Sequence, residues 1–303
     1  KDLIAEFHKY GIKVVLDAVF NHTGSDSLYY NEFGDYDSFG ACQGKESPYN
    51  CFYLKDGYGN QKYWWDVFTN LPVCDKCNFE YRNFIFGEGG VIDKWCQEWN
   101  IDGLRLDVVD ELPDHFITGI WEAMQRNKPN NFIIFGEVWD NVMRKKNHYL
   151  YNVKEIHSPM NYFGMGGLLR YYMYSDVFEL DTVCKEILQE YPTETILTLM
   201  NSTSTHDMSR PTELLGCNAF DYYGQYPWNI KGWDEMSDEQ RMEWLRNHQM
   251  TEEEYEHGKL VEKSYVTALA FLPGIFTIYY GDEVGMQGIG NLLNRGTYPW
   301  GRE

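Results

Sequence analysis

Short apolar blocks alternate along the chain with longer amphipathic stretches, and the spacing predicts which are strands and which are helices. IKVVLDAVF (12–20), IDGLRLD (101–107), FIIFGE (132–137), EIHSPM (155–160), the run at 195–201 and IFTIYYG (275–281) read as strands, each a compact apolar run. Helical spacing is read over 80–99, 114–127, 179–190 and 238–272. The opening KDLIAEFHKYG carries apolar Leu3, Ile4 and Phe7 and reads as the closing turns of a helix stopped at Gly11. Within 217–258, which interrupts the last long connection, SDEQ and TEEE match capping boxes (Ser237 with Gln240, Thr251 with Glu254), so two short acidic helices are expected there. Residues 23–66 show no period, are rich in Gly, Tyr, Asp and Ser, and read as a loop-rich insertion too long for an ordinary connection. Strands separated by helices argue for parallel βα units. No GxGxxG or GxxxxGK[ST] follows any of them, so a nucleotide fold loses its main support. The expected fold class is α/β, a barrel of the (β/α)8 type.

Composition narrows the partners. A formal charge of −20 over 303 residues repels a phosphate backbone, which argues against nucleic acid. No apolar run approaches the roughly 20 residues that span a bilayer, so no membrane partner is expected. The 24 Tyr and 10 Trp exceed what a core needs and suit the flat faces of sugars, although packing explains any one ring. Seven cysteines cannot all pair within one chain, which leans toward a reducing, cytoplasmic compartment. Four of them, Cys42, Cys51, Cys74 and Cys77, share one stretch. Eight residues intervene between the first two, a poor match to zinc-ligand spacing, and buried small hydrophobes are the favoured reading.

The strand ends carry the chemistry. The first run ends in Asp17, Asn21 and His22, the second in Arg105 and Asp107, the third in Glu137, and the run near 200 leads to His206 and Asp207. Arg105 and Asp107 are two apart and share a strand face, so the guanidinium can keep the carboxylate ionised and oriented. Singly, each acid reads as a helix cap or a solvated loop residue. Three carboxyls, two histidines and an arginine delivered to one rim point instead to cleavage of a glycosidic bond.

DAVFNH, GLRLDVVDE, GEVWD and STHD resemble, in order and spacing, the four signature regions of the alpha-amylase family, glycoside hydrolase family 13. LPGIFTIYYGDEVGM resembles that family's last barrel strand and loop. The resemblance covers nearly the whole chain and is nearest to the neopullulanases, cyclomaltodextrinases and maltogenic amylases. It implies a retaining mechanism with Asp107 as nucleophile, Glu137 as acid and base, its proton affinity raised by neighbouring negative charge, and Asp207 as stabiliser of the transition state. His22 and His206 would bind the cleaved sugar, Asp17 would brace Arg105, Trp139 would line the acceptor side and Arg210 the donor side. The implied substrates are starch-derived glucans, maltooligosaccharides, cyclodextrins or pullulan, cut mainly at α-1,4 bonds. An α-1,6-acting or transglycosylating member, or a non-catalytic barrel homologue, stays open. No cofactor is required, with calcium admitted at Asn21, and a homodimer of the longer protein stays open. LPVCD (71–75) departs from a fifth family motif at Val73, which leaves substrate preference undecided. The resemblance also implies barrel strands 3 to 8 on residues 1–22 and 67–303, with 23–66 as domain B. The first two strands and a C-terminal β-domain would lie outside the chain, leaving an open sheet edge and a chain unstable alone.

Overall fold

The computed structural model describes residues 1–144, 155–217 and 232–301, the side chains at 291 and 292 excepted. The chain forms two compact units, one of residues 1–138 and 142–159, the other of 139–141 and 160–303.

In the first unit, helix α1 (Asp2–Lys9) leads through Gly11, whose positive φ of 72° is the conformation glycine takes without strain, to strand β1 (Val15–Ala18). A two-stranded hairpin, β2 (Tyr63–Trp64) with β3 (Phe68–Pro72), closes the irregular segment. Then come α2 (Phe79–Phe86), α3 (Val91–Lys94), β4 (Gly103–Leu106), α4 (Asp114–Asn127) and β5 (Ile133–Val138). Strands β1, β4 and β5 are parallel neighbours, with Leu16 opposite Leu104 and Leu104 opposite Ile134. All four residues of β4 are buried, whereas Val15 on β1 is 37% exposed and Val19 beyond it 43%. That contrast marks β4 as central and β1 as an edge. Gly103 is required because a Cβ there would stand 2.4 Å from the Ile133 carbonyl oxygen. Helix α4 packs Phe116, Ile117, Ile120, Ala123 and Met124, a helical stripe, into the core.

The second unit contains α5 (Tyr162–Tyr174), α6 (Val177–Glu190), α7 (Thr193–Ile196), β7 (Met200–Ser202), α8 (Pro211–Cys217), α9 (Asp238–Asn247), α10 (Glu252–Phe271), β8 (Ile275–Thr277) and α11 (Gly290–Leu293). Strand β6 (Ser158–Asn161) enters it at Met160, which pairs in parallel with Met200, and β7 pairs in parallel with β8. Met160, Tyr162, Leu168, Met208, Leu214, Tyr265 and Leu269 lie in its core. The architecture is therefore α/β with six parallel strands, the pattern of a partial (β/α)8 barrel.

Both expected capping boxes are present, and they open α9 and α10. Residues 218–231 of that connection lie outside the described residues. The helix expected over 80–99 is instead α2, α3 and a π turn at Trp95–Trp99, because Gly87, Gly89 and Gly90 break it. Helix α5 was not legible: Gly164, Gly166 and Gly167 lower its propensity, and it is held by packing. All seven cysteines are free. Cys74 is buried, but Cys42, Cys51 and Cys77 are exposed, which corrects their reading as buried hydrophobes. The four do not converge as metal donors among the described residues. No described helix is long and apolar enough to cross a membrane.

Buried titrating groups give the stability an uneven pH dependence. Burial holds His22 and His157 below their ordinary 6.5, and His157 Nδ1 accepts the Ile134 amide at 3.0 Å, a bond only the unprotonated nitrogen makes. Their contribution is complete above pH 6.5 and is lost as pH falls below it. Glu262 acts oppositely, since burial pushes it up to about 7 from 4.5, so its contribution grows as pH falls through 7. Glu262→Gln is accordingly expected to lose more stability than the wild type between pH 7 and pH 5, by on the order of 2 kcal/mol. Parallel melting profiles for the two proteins at those pH values would exclude this.

Candidate active site

Three of the acids singled out in the sequence, Asp17, Asp107 and Glu137, surround the guanidinium of Arg105 in the first unit. The register pairs Asp17 on β1 with Arg105 on β4, which puts both side chains on one face of the sheet. Arg105 Nη1 donates to Asp17 Oδ1 and to Asp107 Oδ1, both at 2.7 Å. Its Nη2 forms an ion pair with Glu137 Oε2 at 2.9 Å. The Arg105 side chain is 10% exposed, Asp107 17% and Glu137 4%. Burial would lower the Arg105 pKa, but Glu137, Asp17 and Asp107 together outweigh it and push the pKa up, so the guanidinium stays charged. The crowding of Glu137 expected from the sequence is thus accompanied by a positive group in direct contact.

Val108 completes this group. It is a β-branched residue at φ 39°, ψ 53°, a strained left-handed conformation, and its amide donates to Glu137 Oε2 at 3.0 Å. The strain thus accompanies a backbone amide aimed at an acid, a contact that the sequence does not reveal.

His22 is buried and stacks on Trp64, with centroids 4.8 Å apart. Burial lowers its pKa, Asp107 raises it and Lys76 lowers it, leaving the ring below 6.5 and neutral at pH 7. A neutral imidazole can both donate to and accept from a hydroxyl. Beside it, Asn21 Oδ1 accepts from Lys76 Nζ at 2.6 Å. This does not fit the calcium ion admitted at Asn21, because an ammonium already holds the oxygen and would repel a divalent cation.

In the second unit, Asp207 lies on the turn after β7. Its amide donates to Thr205 Oγ1 at 3.2 Å, its Oδ1 accepts from Arg295 Nη2 at 3.0 Å, and its Oδ2 lies 3.1 Å from His206 Nε2. Arg295 also donates to the His206 carbonyl at 2.9 Å, so one side chain fixes both neighbours. Trp139 stacks on Tyr162 at 4.3 Å, and the Tyr162 hydroxyl donates to Thr205 Oγ1 at 2.9 Å. The aromatic after the acid and the turn bearing Asp207 are thereby joined through one threonine.

Arg210 differs from its expected place on the donor side. Its side chain is fully buried, with Nη1 donating to Asp282 Oδ1 at 2.8 Å and to the Tyr280 carbonyl, and Nε to the Asn294 carbonyl. Asp282 also accepts from Thr203 and Ser204. The pair ties the Asp207 loop to the segment after β8 and leaves no guanidinium edge for a sugar. Arg295 and Asp282 escaped the sequence reading because their partners lie more than seventy residues away.

A model described as the alpha amylase catalytic domain matches residues 1–298. The amylopullulanase of Thermoanaerobacterium thermosulfurigenes is 30% identical over 331 aligned positions, covering 99% of this chain and 16% of that protein. The cyclomaltodextrinase of Geobacillus thermopakistaniensis is 26% identical, covering 95% of this chain and 41% of that protein. The chain therefore spans less than half the length of these curated relatives. Among solved structures, a debranching enzyme of Nostoc punctiforme superposes with a TM-score of 0.71 at 23% identity, over 99% of this chain and 56% of that one. The cyclic alpha-maltosyl-(1→6)-maltose hydrolase of Arthrobacter globiformis, in complex with that sugar, gives 0.70 at 20% identity, over 99% and 57%. Both share the fold.

Proposed function

Because this chain belongs to the alpha-amylase family, we propose that it carries the reacting groups of a retaining glycoside hydrolase that cuts α-glucosidic, mainly α-1,4, bonds in starch-derived glucans. The observation behind the reading is the single guanidinium shared by Asp107 and Glu137. Two carboxyls held on one planar fork stay close together, compatible with the spacing of about 5 Å that a retaining pair uses.

In this proposal Asp107 attacks the anomeric carbon, aimed by Arg105, which Asp17 braces in turn. Glu137 gives a proton to the leaving oxygen, then takes one from the water that releases the sugar. It must leave the Arg105 ion pair to do so, and the Val108 amide offers its carboxylate a second resting contact. Asp207, fixed by Arg295, holds the distorted sugar and stabilises positive charge at the transition state. His22 and His206 take hydroxyls of that sugar, and Trp139 borders the acceptor. No step runs through calcium.

A second reading is favoured by the name of one relative, an amylopullulanase, and places α-1,6 bonds among the substrates. Transfer to a sugar instead of water uses the same intermediate. Product analysis separates these readings: the complete protein is incubated with starch, pullulan and cyclodextrins, and products are resolved by chromatography with the anomer assigned by NMR. Short maltooligosaccharides in the α-anomer are expected. Maltotriose from pullulan identifies α-1,6 cleavage, and elongated products identify transfer. Initial β-anomer would sink the retaining mechanism, and no product from any of these glucans would sink the substrate class.

A further inference from the structure

We propose a zinc site in the second unit, formed by Glu213 and Cys217 of α8 and His248, which follows α9. The three residues present a carboxylate oxygen, a thiol sulfur and an imidazole nitrogen, all within 4.8 Å of one another. His248 Nε2 lies 3.3 Å from Glu213 Oε1 and 3.8 Å from Cys217 Sγ. With ordinary zinc bond lengths, the edges of a ligand tetrahedron are about 3.4 Å between nitrogen and oxygen and about 3.6 Å between nitrogen and sulfur. Both separations from His248 are close to those edges, and the third, between Glu213 and Cys217, is within 4.8 Å.

The donors are also held in place. Glu213 is buried, and its second oxygen accepts the Gly288 amide at 2.8 Å, which turns Oε1 toward the histidine. The His248 ring stacks on Trp244 at 4.7 Å. Outer contacts of this kind orient a metal site. The mixed donor set of sulfur, nitrogen and oxygen suits zinc and excludes calcium and magnesium, which take oxygen. Three protein donors leave the fourth position to water.

None of the three residues belongs to the proposed catalytic groups. The site's role is structural: the ion ties the end of α8 to the residue that follows α9. Because the three donors come together only in the folded chain, the free energy of zinc binding adds to the stability of that chain.

The test uses the complete protein under a phosphine reductant, with exposed Cys42, Cys51 and Cys77 changed to Ser to remove competing thiols. Titration with Zn2+ is expected to show one ion per chain at micromolar affinity or better. A hundredfold excess of free zinc over its Kd should raise the melting temperature by about 4 °C. Co2+ should give a thiolate-to-cobalt charge-transfer band, lost in Cys217→Ser, and His248→Gln should weaken Zn2+ binding at least tenfold. Circular dichroism of each variant shows whether it is folded, and either variant alone suffices. No bound zinc, zinc bound equally by both variants, or cobalt bound without the thiolate band would overturn the site.

Discussion

Asp107→Asn in the complete protein should lower kcat on maltooligosaccharides by about 10^4-fold or more while leaving the melting temperature close to that of the wild type. The first half follows from the proposed chemistry: an amide oxygen is a poor nucleophile toward the anomeric carbon, and Asp17, which shares Arg105 Nη1 with Asp107, belongs to the neighbouring strand. The second half follows from the charge count around Arg105. One guanidinium faces Asp17, Asp107 and Glu137, so the ionised group carries two negative charges in excess. Neutralising one relieves repulsion, and Asn Oδ1 can still accept from Arg105 Nη1. The lost charge-assisted component of that bond is offset by the relieved repulsion, each on the order of 1–2 kcal/mol. Steady-state kinetics and calorimetry on the same preparation read both quantities. Wild-type turnover in the variant would remove Asp107 from the mechanism. A large fall in melting temperature together with the lost activity would reduce its role to holding the fold.

The legible and illegible parts of the fold and site divide along a physical line. Strands and their terminal acids could be read because a strand's apolar run and the residue ending it are local, as in GLRLD and FGE. The capping boxes at Ser237 and Thr251 were legible for the same reason. What escaped depends on distant partners. Arg295 holds Asp207 across 88 positions, and nothing in its neighbourhood distinguishes it from a surface arginine. Arg210 was misplaced because its motif says where the backbone runs, whereas Asp282, from the segment after β8, decides which way the side chain turns. Lys76 on Asn21 is the same case: one residue suggested a cation site, and another, 55 positions on, supplies the charge. Helix α5 shows the limit of propensity, since its three glycines are tolerated where close packing wants them: a Cβ on Gly167 would meet Val183 at 3.0 Å.

Removing Arg105 should produce the largest loss of stability at the site. Arg105→Ala takes from Asp17, Asp107 and Glu137 the guanidinium they share, and two of the three, Asp107 and Glu137, are mostly buried. Breaking a buried ion pair from one side costs about 3–5 kcal/mol, because the remaining charges keep their desolvation penalty and lose their compensation. Asp17, with 54% of its side chain exposed, adds little, so the loss comes from Asp107 and Glu137. The pH dependence identifies the cause. In the variant, mutual repulsion and burial raise the folded-state pKa values of these acids above their unfolded values, so protonation favours the folded form as pH falls through them. The difference in melting temperature between variant and wild type should therefore be large at pH 7 and clearly smaller at pH 5. Arg105→Lys should recover part of it, since an ammonium restores the charge but cannot meet three carboxylates as the planar fork does. Both variants should lose kcat by at least about 100-fold at any pH where they are folded, as Asp107 loses its orientation. A gap between variant and wild type that stays constant from pH 7 to pH 5 would mean that Arg105 supports the sheet by packing alone, and the shared guanidinium would no longer account for the charge at the site.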